Sequence, residues 1–346
     1  MPAFLMYEEM SKARAVGMDR YWVLNVGDLK PGELGAEIFL RMAWRADRYE
    51  ATGLATGFFR PQGIRDYSLE EETAEKYAAA MEAFSRYLQA KRPEFLGYES
   101  EGSATVPEFS GTRVFPFSIT QHGDEGQRRV DDWNRLADIL CNLMERMPPE
   151  NRDAFYEQVY HAVLCNRNRT EEYVYYWKNR LYAKQGRLLA SRAYAERSRK
   201  AIARLWEDQA HFDGIQKGKW EKILGMDHVI YYQPAQGILR IREDMYDLTA
   251  TPRDALGAVC EGQEDAYDPV TMRFDSLAAN RRFIDLFSMD EAPKGWRLCL
   301  EPWLRAEKQW GPSRRRNGSG SRLTGTDSRW EKATGMWRFS MKRAGM

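Results

Sequence analysis

Between Ser68 and Gly214, apolar side chains recur at three- and four-residue spacing with few interruptions, so a helical bundle must form the centre of the architecture. Ser68 and Glu71 spell an S-x-x-E capping box, which opens a helix running to about Gln89. Further helical stretches cover 124–147, 150–187 with a break near Asn166, and 189–214. Phe155, Val159, Ala162 and Val163 stripe one face of the second stretch, and Tyr173, Trp177 and Leu181 continue an aromatic one. Pro148 and Pro149 divide the first stretch from the second, because a proline ring clashes with the preceding helical turn and lacks an amide hydrogen. Residues 93–122 carry six Pro and Gly punctuators and read as a looser connection.

The chain is organised differently on either side of the bundle. Residues 5–16 have helical spacing, ended by Gly17, and "RYWVLNV" (20–26) is rich in β-branched and aromatic residues, as a buried strand would be. A polar loop, "NVGDLKPGE" (25–33), leads into the helical "ELGAEIFLRMAW" (33–44). Helix, strand, loop, helix is the order of an α/β protein with a parallel sheet, yet one strand cannot make a sheet. The expectation is therefore that companion strands lie further upstream or are supplied elsewhere. After Asp227 the short segments "HVIYYQP", "GAVCEG", "TMRFDS", "RRFIDLF" and "WRLCLEPWLRAEK", separated by Gly, Asp and Pro, suggest the start of a β-sandwich. The predicted fold class is multidomain α+β: a remnant of a (β/α)8 barrel over 1–60, a helical bundle over 65–225 and a partial β-sandwich over 226–310. From 311 to 346 nine basic residues face two acidic ones, leaving 43 basic and 49 acidic in the preceding 310. That tail has no sustained period and reads as disordered.

Composition and motifs exclude several functions. No apolar stretch reaches the roughly 20 residues that span a bilayer, so no membrane role is expected. Glu8 and Glu9 interrupt the apolar N-terminal residues, which therefore do not read as a signal peptide. The protein is expected to be intracellular, or to begin further upstream; localisation stays open. Cys141, Cys165, Cys260 and Cys299 are far apart and read as buried single thiols. His122, His161, His211 and His228 have no metal-ligand spacing, and there is no phosphate loop or dinucleotide fingerprint, so neither metal nor cofactor is expected. The Arg314–Arg316 triplet is one cluster in a flexible tail and does not argue for nucleic acid. Two sequons, at Asn168 and Asn317, matter only if the protein is exported.

Two regions carry candidate binding chemistry. The loop concentrates Asn25, Asp28, Lys30 and Glu33 where barrel folds place substrate contacts. The plain alternative is a charged connection in which Asp28 pairs with Lys30 and Glu33 caps the next helix. "YYWKNRLYAKQGR" (175–187) interleaves aromatics with Lys178 and Asn179, a mixture suited to sugars or nucleic acid, although a helix with core aromatics and solvated bases is the simpler reading. "GKWEKILGMDHVIYYQP" (218–234) adds Lys219 and Trp220, with His228 as a further ligand contact or a structural residue.

Five stretches in order resemble one family: "RYWVLNVGDLKPGELGAEIFLRMAW", "DAFYEQVYHAVLC", "WKNRLYAKQGR", "GKWEKILGMDHVIYYQP" and "GAVCEGQEDAY". The chain is similar to glycoside hydrolase family 115, the xylan α-1,2-glucuronidases. The resemblance implies a (β/α)8 catalytic barrel, then a helical domain, then a β-rich region. It implies removal of glucuronic acid or its 4-O-methyl ether from glucuronoxylan or glucurono-xylooligosaccharides, with inversion. On this plan Asn25, Asp28, Lys30, Glu33, Lys178, Asn179, Lys219 and Trp220 are substrate contacts. Lys30 or Asn25 would then have a physical reason to meet the substrate's carboxylate. The catalytic acids are unknown and belong to barrel strands upstream, so this chain alone is expected to be inactive. Family members are often dimers and commonly secreted or periplasmic. The competing expectation is a non-catalytic helical carbohydrate-binding or assembly module.

Overall fold

The computed structural model describes residues 3–26, 29–45, 53, 55–90, 117–224, 250–266, 272, 281–292, 294–300, 304–306, 310–312, 319–325 and 342–343. The fold is α+β: mostly helical, with antiparallel sheets toward the C-terminus. The chain divides into two compact units, one of 1–114, 129–171 and 201–241, the other of 115–128, 172–200 and 242–346.

The first unit contains α1 (Ala3–Ala15), α2 (Glu33–Arg45), α3 (Arg60–Tyr67) and α4 (Glu71–Ala90). It also holds most of α5 (Glu125–Glu145), α6 (Pro149–Phe155), the start of α7 (His161–Lys184) and the last turns of α8 (Leu188–Gly218). In α4 the buried positions Ala74, Tyr77, Ala78, Met81 and Ser85 repeat at three- and four-residue spacing, and this stripe is what folds the helix onto its neighbours. At the centre Tyr67 meets Tyr77 and Phe155 edge-to-face, with ring centroids 5.7 and 5.0 Å away. Both hydroxyls are satisfied, Tyr67 by Gln158 at 2.8 Å and Tyr77 by Gln62 at 2.7 Å. Gly63 has to be glycine here, since a Cβ would stand 2.7 Å from the Tyr77 ring.

Two π-helical turns, Ala55–Phe59 and Tyr156–Tyr160, were not foreseen, nor was α3. The second turn is where the helical run after Pro149 changes pitch, ten residues before the break expected near Asn166. The His161 amide reaches back five residues to the Tyr156 carbonyl, which widens the helix by one residue. The bundle helices otherwise follow the predicted stretches. Ile215, Gln216 and Lys217 leave helical geometry, so the last long helix stops near Gly214 as expected. The capping box does not form. Ser68 instead ends α3 in a left-handed conformation (φ 54°), and its hydroxyl accepts from Asn151 at 3.1 Å.

The expected buried strand at 20–26 is also corrected. Residues 21–26 form no strand, with Tyr21 84% and Val23 70% exposed, while Trp22 and Leu24 turn inward onto the core. The alternation is that of a strand, but no described strand pairs with it in a sheet.

In the second unit, β1 (Leu256–Cys260) pairs with β2 (Arg281–Ser288). The short strands β3 (Gly295–Arg297), β4 (Leu304–Ala306) and β5 (Trp310–Pro312) follow, then β6 (Ser319–Gly325) and β7 (Lys342–Arg343). They form a four-stranded sheet in the order β1-β2-β6-β4 and a three-stranded sheet β5-β3-β7, every pairing antiparallel. Ala258, Cys260, Ile284, Leu286, Trp296 and Leu298 form their apolar core. Gly257 faces Phe287, whose ring would lie 2.3 Å from any Cβ there. The segments "GAVCEG" and "RRFIDLF" are strands as expected, and "HVIYYQP" and nearly all of "TMRFDS" lie outside the described residues. The reading of 311–346 as a tail without regular structure is corrected by β6 and β7. β6 is rich in Gly and Ser and has weak strand propensity of its own; pairing on both edges, with β2 and β4, makes it a strand.

Candidate functional site

The polar loop before α2 and the second π-turn come together in the first unit. Leu29 to Gly32 forms a turn, closed by the Gly32 amide on the Leu29 carbonyl at 2.8 Å, which starts α2 at Glu33 three residues after Lys30. Lys30 therefore meets the Glu33 carboxylate directly, and its ammonium also donates to Glu157 Oε2 at 3.0 Å. The π-turn carries Glu157 into the interior, where only 4% of its side chain is exposed. Above the ammonium lies the Trp220 ring, its centroid 4.8 Å away, and the exposed Lys219 ammonium is 4.8 Å from the same centroid. Trp220 stands in the turns that follow α8 and packs partly against the core.

One cation here answers two carboxylates. Glu33 Oε2 and Glu157 Oε1 are both buried and receive no donor. Burial pushes the Glu157 carboxyl above its ordinary range; the Lys30 hydrogen bond draws it back, and the Glu33 charge pushes it up again, leaving it raised. Burial also works against the Lys30 ammonium, but its bonds to Glu33 and Glu157 outweigh that and hold its pKa above the ordinary value. Chemically the cluster is short of donors, so it suits a hydroxyl or a proton better than another anion. Lys30 is already engaged by two carboxylates.

Asn25 is exposed at the head of the same loop, and Asp28 lies outside the described residues. The structure thus brings Lys30, Glu33, Lys219 and Trp220 together and adds Glu157, which the sequence reading missed. Its signal was a charge, Glu157, set inside the apolar run Phe155, Tyr156, Val159 and Tyr160.

Lys178 and Asn179 belong to the second unit and are interior residues there. Lys178 is 1% exposed, bonds Asp124 at 2.6 Å and Gln127 at 2.7 Å, and lies 5.2 Å from the Tyr194 ring centroid. Asn179 donates to the Ser191 carbonyl at 2.8 Å. The aromatics around them, Tyr173, Tyr175, Tyr176 and Tyr194, are buried, as the plainer reading held, but the lysine is not solvated.

Other candidates resolve in place. Cys260 is buried, Cys141 and Cys165 are half-buried and Cys299 is exposed, correcting the view of all four cysteines as buried. Cys165 lies 3.5 Å from His161 Nε2, but burial pushes its thiol up to about 12 and the imidazole down to about 4, so the two do not form a thiolate–imidazolium pair at neutral pH. Asn168 is fully buried and bonds Asp208 at 2.6 Å, so its sequon is closed to modification in the folded protein. His228 is outside the described residues. Among the described residues no group of three or more His, Cys, Asp and Glu could hold a metal, and no helix is long and apolar enough to cross a membrane.

Comparison with known proteins agrees with the resemblance read from the sequence. Residues 1–95 match the sequence model of glycosyl hydrolase family 115. No curated protein matches the chain. The fold is similar to the solved structure of a family GH115 4-O-methyl-alpha-glucuronidase, BtGH115A, with specificity for decorated arabinogalactans. The TM-score is 0.55 at 17% identity, over 94% of this chain and 45% of that one. The chain therefore spans about half the length of the structure it matches.

Proposed function

We propose that the chain is part of a glycoside hydrolase of the α-1,2-glucuronidase type and contributes the 25–33 loop to the rim of its sugar site. The observation behind this reading is that the matched segment, residues 1–95, contains that loop, and that Lys30, Glu33, Glu157 and Trp220 converge on it. Residues 1–60 correspond to the last helix and strand of a (β/α)8 barrel, with 21–26 taking its place in the sheet when neighbouring strands are present. Residues 65–225 correspond to the helical domain and 226–310 to the start of a β-sandwich. The substrate is a glucuronic acid or 4-O-methylglucuronic acid side chain on xylan, cleaved with inversion.

Inversion needs a carboxylic acid at the leaving oxygen and a carboxylate on the attacking water, about 6.5–9.5 Å apart. Glu33 and Glu157 both hold Lys30, so neither is assigned to those roles; the acid and base belong to barrel strands outside the elements described. Asn25, exposed at the rim, contacts the sugar, with Asp28 beside it. Lys30 works as a strut that fixes the loop on the π-turn, and Lys219 is the cation nearest the Trp220 ring on the exposed side.

The test is affinity electrophoresis in glucuronoxylan beside unsubstituted xylan, together with assay of glucuronic acid release. Retardation by glucuronoxylan alone, weakened at least fivefold by Asn25→Ala and without sugar release, is the expected result. Equal mobility in both gels would remove the sugar-rim assignment, and strong release by this polypeptide would show that acid and base lie within it. A second reading, a non-catalytic carbohydrate-binding or assembly module, is favoured by the concentration of exposed apolar side chains at Val16, Met18, Tyr21, Val23, Leu29 and Trp44. It predicts retention that survives removal of the uronic acid from the xylan.

A further inference from the structure

A concave surface lies within the first unit, between α4 and α5, with a volume of about 580 Å³. Three alanines of α4, Ala79, Ala80 and Ala83, open it by withdrawing side-chain volume along one face, opposite Leu136 and Leu143 of α5. Ile139 stands in the same lining and stays 40% exposed. The floor is thus apolar and partly wet, and covering it would be favourable. Among the described residues the charged ones that line it, Lys76, Arg135 and Arg146, are all of one sign. Lys76 and Arg135 lean on Glu72 and Asp132 of their own helices at 2.6 and 3.1 Å, in exposed pairs of the weak helix-surface kind that a competing anion displaces readily. Tyr87 and Asn142 add polar atoms to the lining.

We infer that this groove is a binding site for a small amphipathic carboxylate, an alkyl or aryl acid whose body lies over the alanine and leucine floor and whose head meets the Lys76, Arg135 and Arg146 rim. The volume is in the range of small-ligand pockets, and the one-signed rim selects an anion over a neutral or cationic body of the same size. Nothing in the argument uses the 25–33 loop, so this proposal and the sugar-rim reading fail independently.

Titration calorimetry on the whole chain with decanoate, decanol and decyltrimethylammonium, all below their micelle concentrations, tests it. Saturable one-to-one binding of decanoate is expected, at least tenfold tighter than decanol, with no heat from the cation. Arg146→Gln combined with Lys76→Gln should weaken decanoate at least tenfold and leave decanol unchanged. Ala83→Trp should abolish both, and Ala79→Leu is the milder block should the tryptophan variant lose its circular dichroism. Equal affinity for decanoate and decanol, absent or non-saturable decanoate heat, or indifference to the rim variants would each overturn the proposal.

Discussion

Lys178 and Lys30 both looked like sugar contacts in the sequence, and both lie beneath an aromatic ring against a carboxylate. Their surroundings differ in charge balance. Among the described residues Lys178 pairs with Asp124, with the Gln127 amide oxygen as a neutral second acceptor. Lys30 is shared by Glu33 and Glu157, two buried oxygens lack donors, and the segment just before the loop leaves Tyr21 and Val23 open. A buried ion pair that closes on itself holds a fold together; one with an excess acceptor can still take a ligand or a proton. Sequence spacing cannot separate the two, because both lysines sit among aromatics and charges.

The largest effect should come from the closed region. Lys178→Met removes the cation paired with a partly buried Asp124, and loss of one partner of such a pair costs about 3 kcal/mol. Urea denaturation would measure it, and a loss below about 1 kcal/mol would mean that Lys178 is no more a structural pair than Lys30. Next is Lys30→Met, with a loss of roughly 2 kcal/mol at pH 7 as two carboxylates are left to face each other. This loss should shrink toward pH 5, because protonation of Glu157 relieves the repulsion. A pH-independent loss would break the contrast in charge balance.

Much of this was legible in the sequence, and the gaps have physical causes. The stripes of α4, α5, α7 and α8 and the Pro148–Pro149 break were readable because helical burial is written in local spacing. The π-turn was not, since inserting one residue into a helix changes no composition, and it is that turn which delivers Glu157. Lys30 and Glu157 are separated by 127 positions, so no local pattern joins them. Residues 20–26 have the composition of a strand, yet no strand among the described residues pairs with them in a sheet. β6 has the reverse character, a poor strand sequence that pairing on both sides turns into a strand.

Glu157→Gln should produce a smaller effect of opposite sign. The folded-state pKa of Glu157 is raised, so the folded protein holds this proton more tightly than the unfolded chain. The carboxyl's contribution is then most favourable below its unfolded pKa and is lost as pH rises through the raised folded value. The glutamine variant keeps the Lys30–Glu33 pair, removes the excess charge and should gain up to about 1 kcal/mol at pH 7 relative to the parent. Denaturation midpoints from pH 4 to 8 should show the parent losing stability across the lower part of that range and the variant flatter. A variant that is less stable than the parent at pH 7, with the slope intact, would show that Glu33 and Glu157 do not compete for the lysine.

The smallest effect should lie in the open region itself. Tyr21 and Val23 point outward from a segment whose Trp22 and Leu24 carry the contacts with the core. Replacing both, as Tyr21→Ser with Val23→Thr, removes apolar surface that water already covers, so stability should move by less than about 0.5 kcal/mol. The same pair of changes in a longer polypeptide that adds a neighbouring strand should cost about 2 kcal/mol or more, because the two side chains would then be leaving a packed sheet. Equal and small losses in both settings would show that 21–26 never joins a sheet and that the rim it is meant to support has another origin. A large loss in this chain alone would mean that the segment is already packed, and the contrast with Lys178 would narrow to the carboxylates.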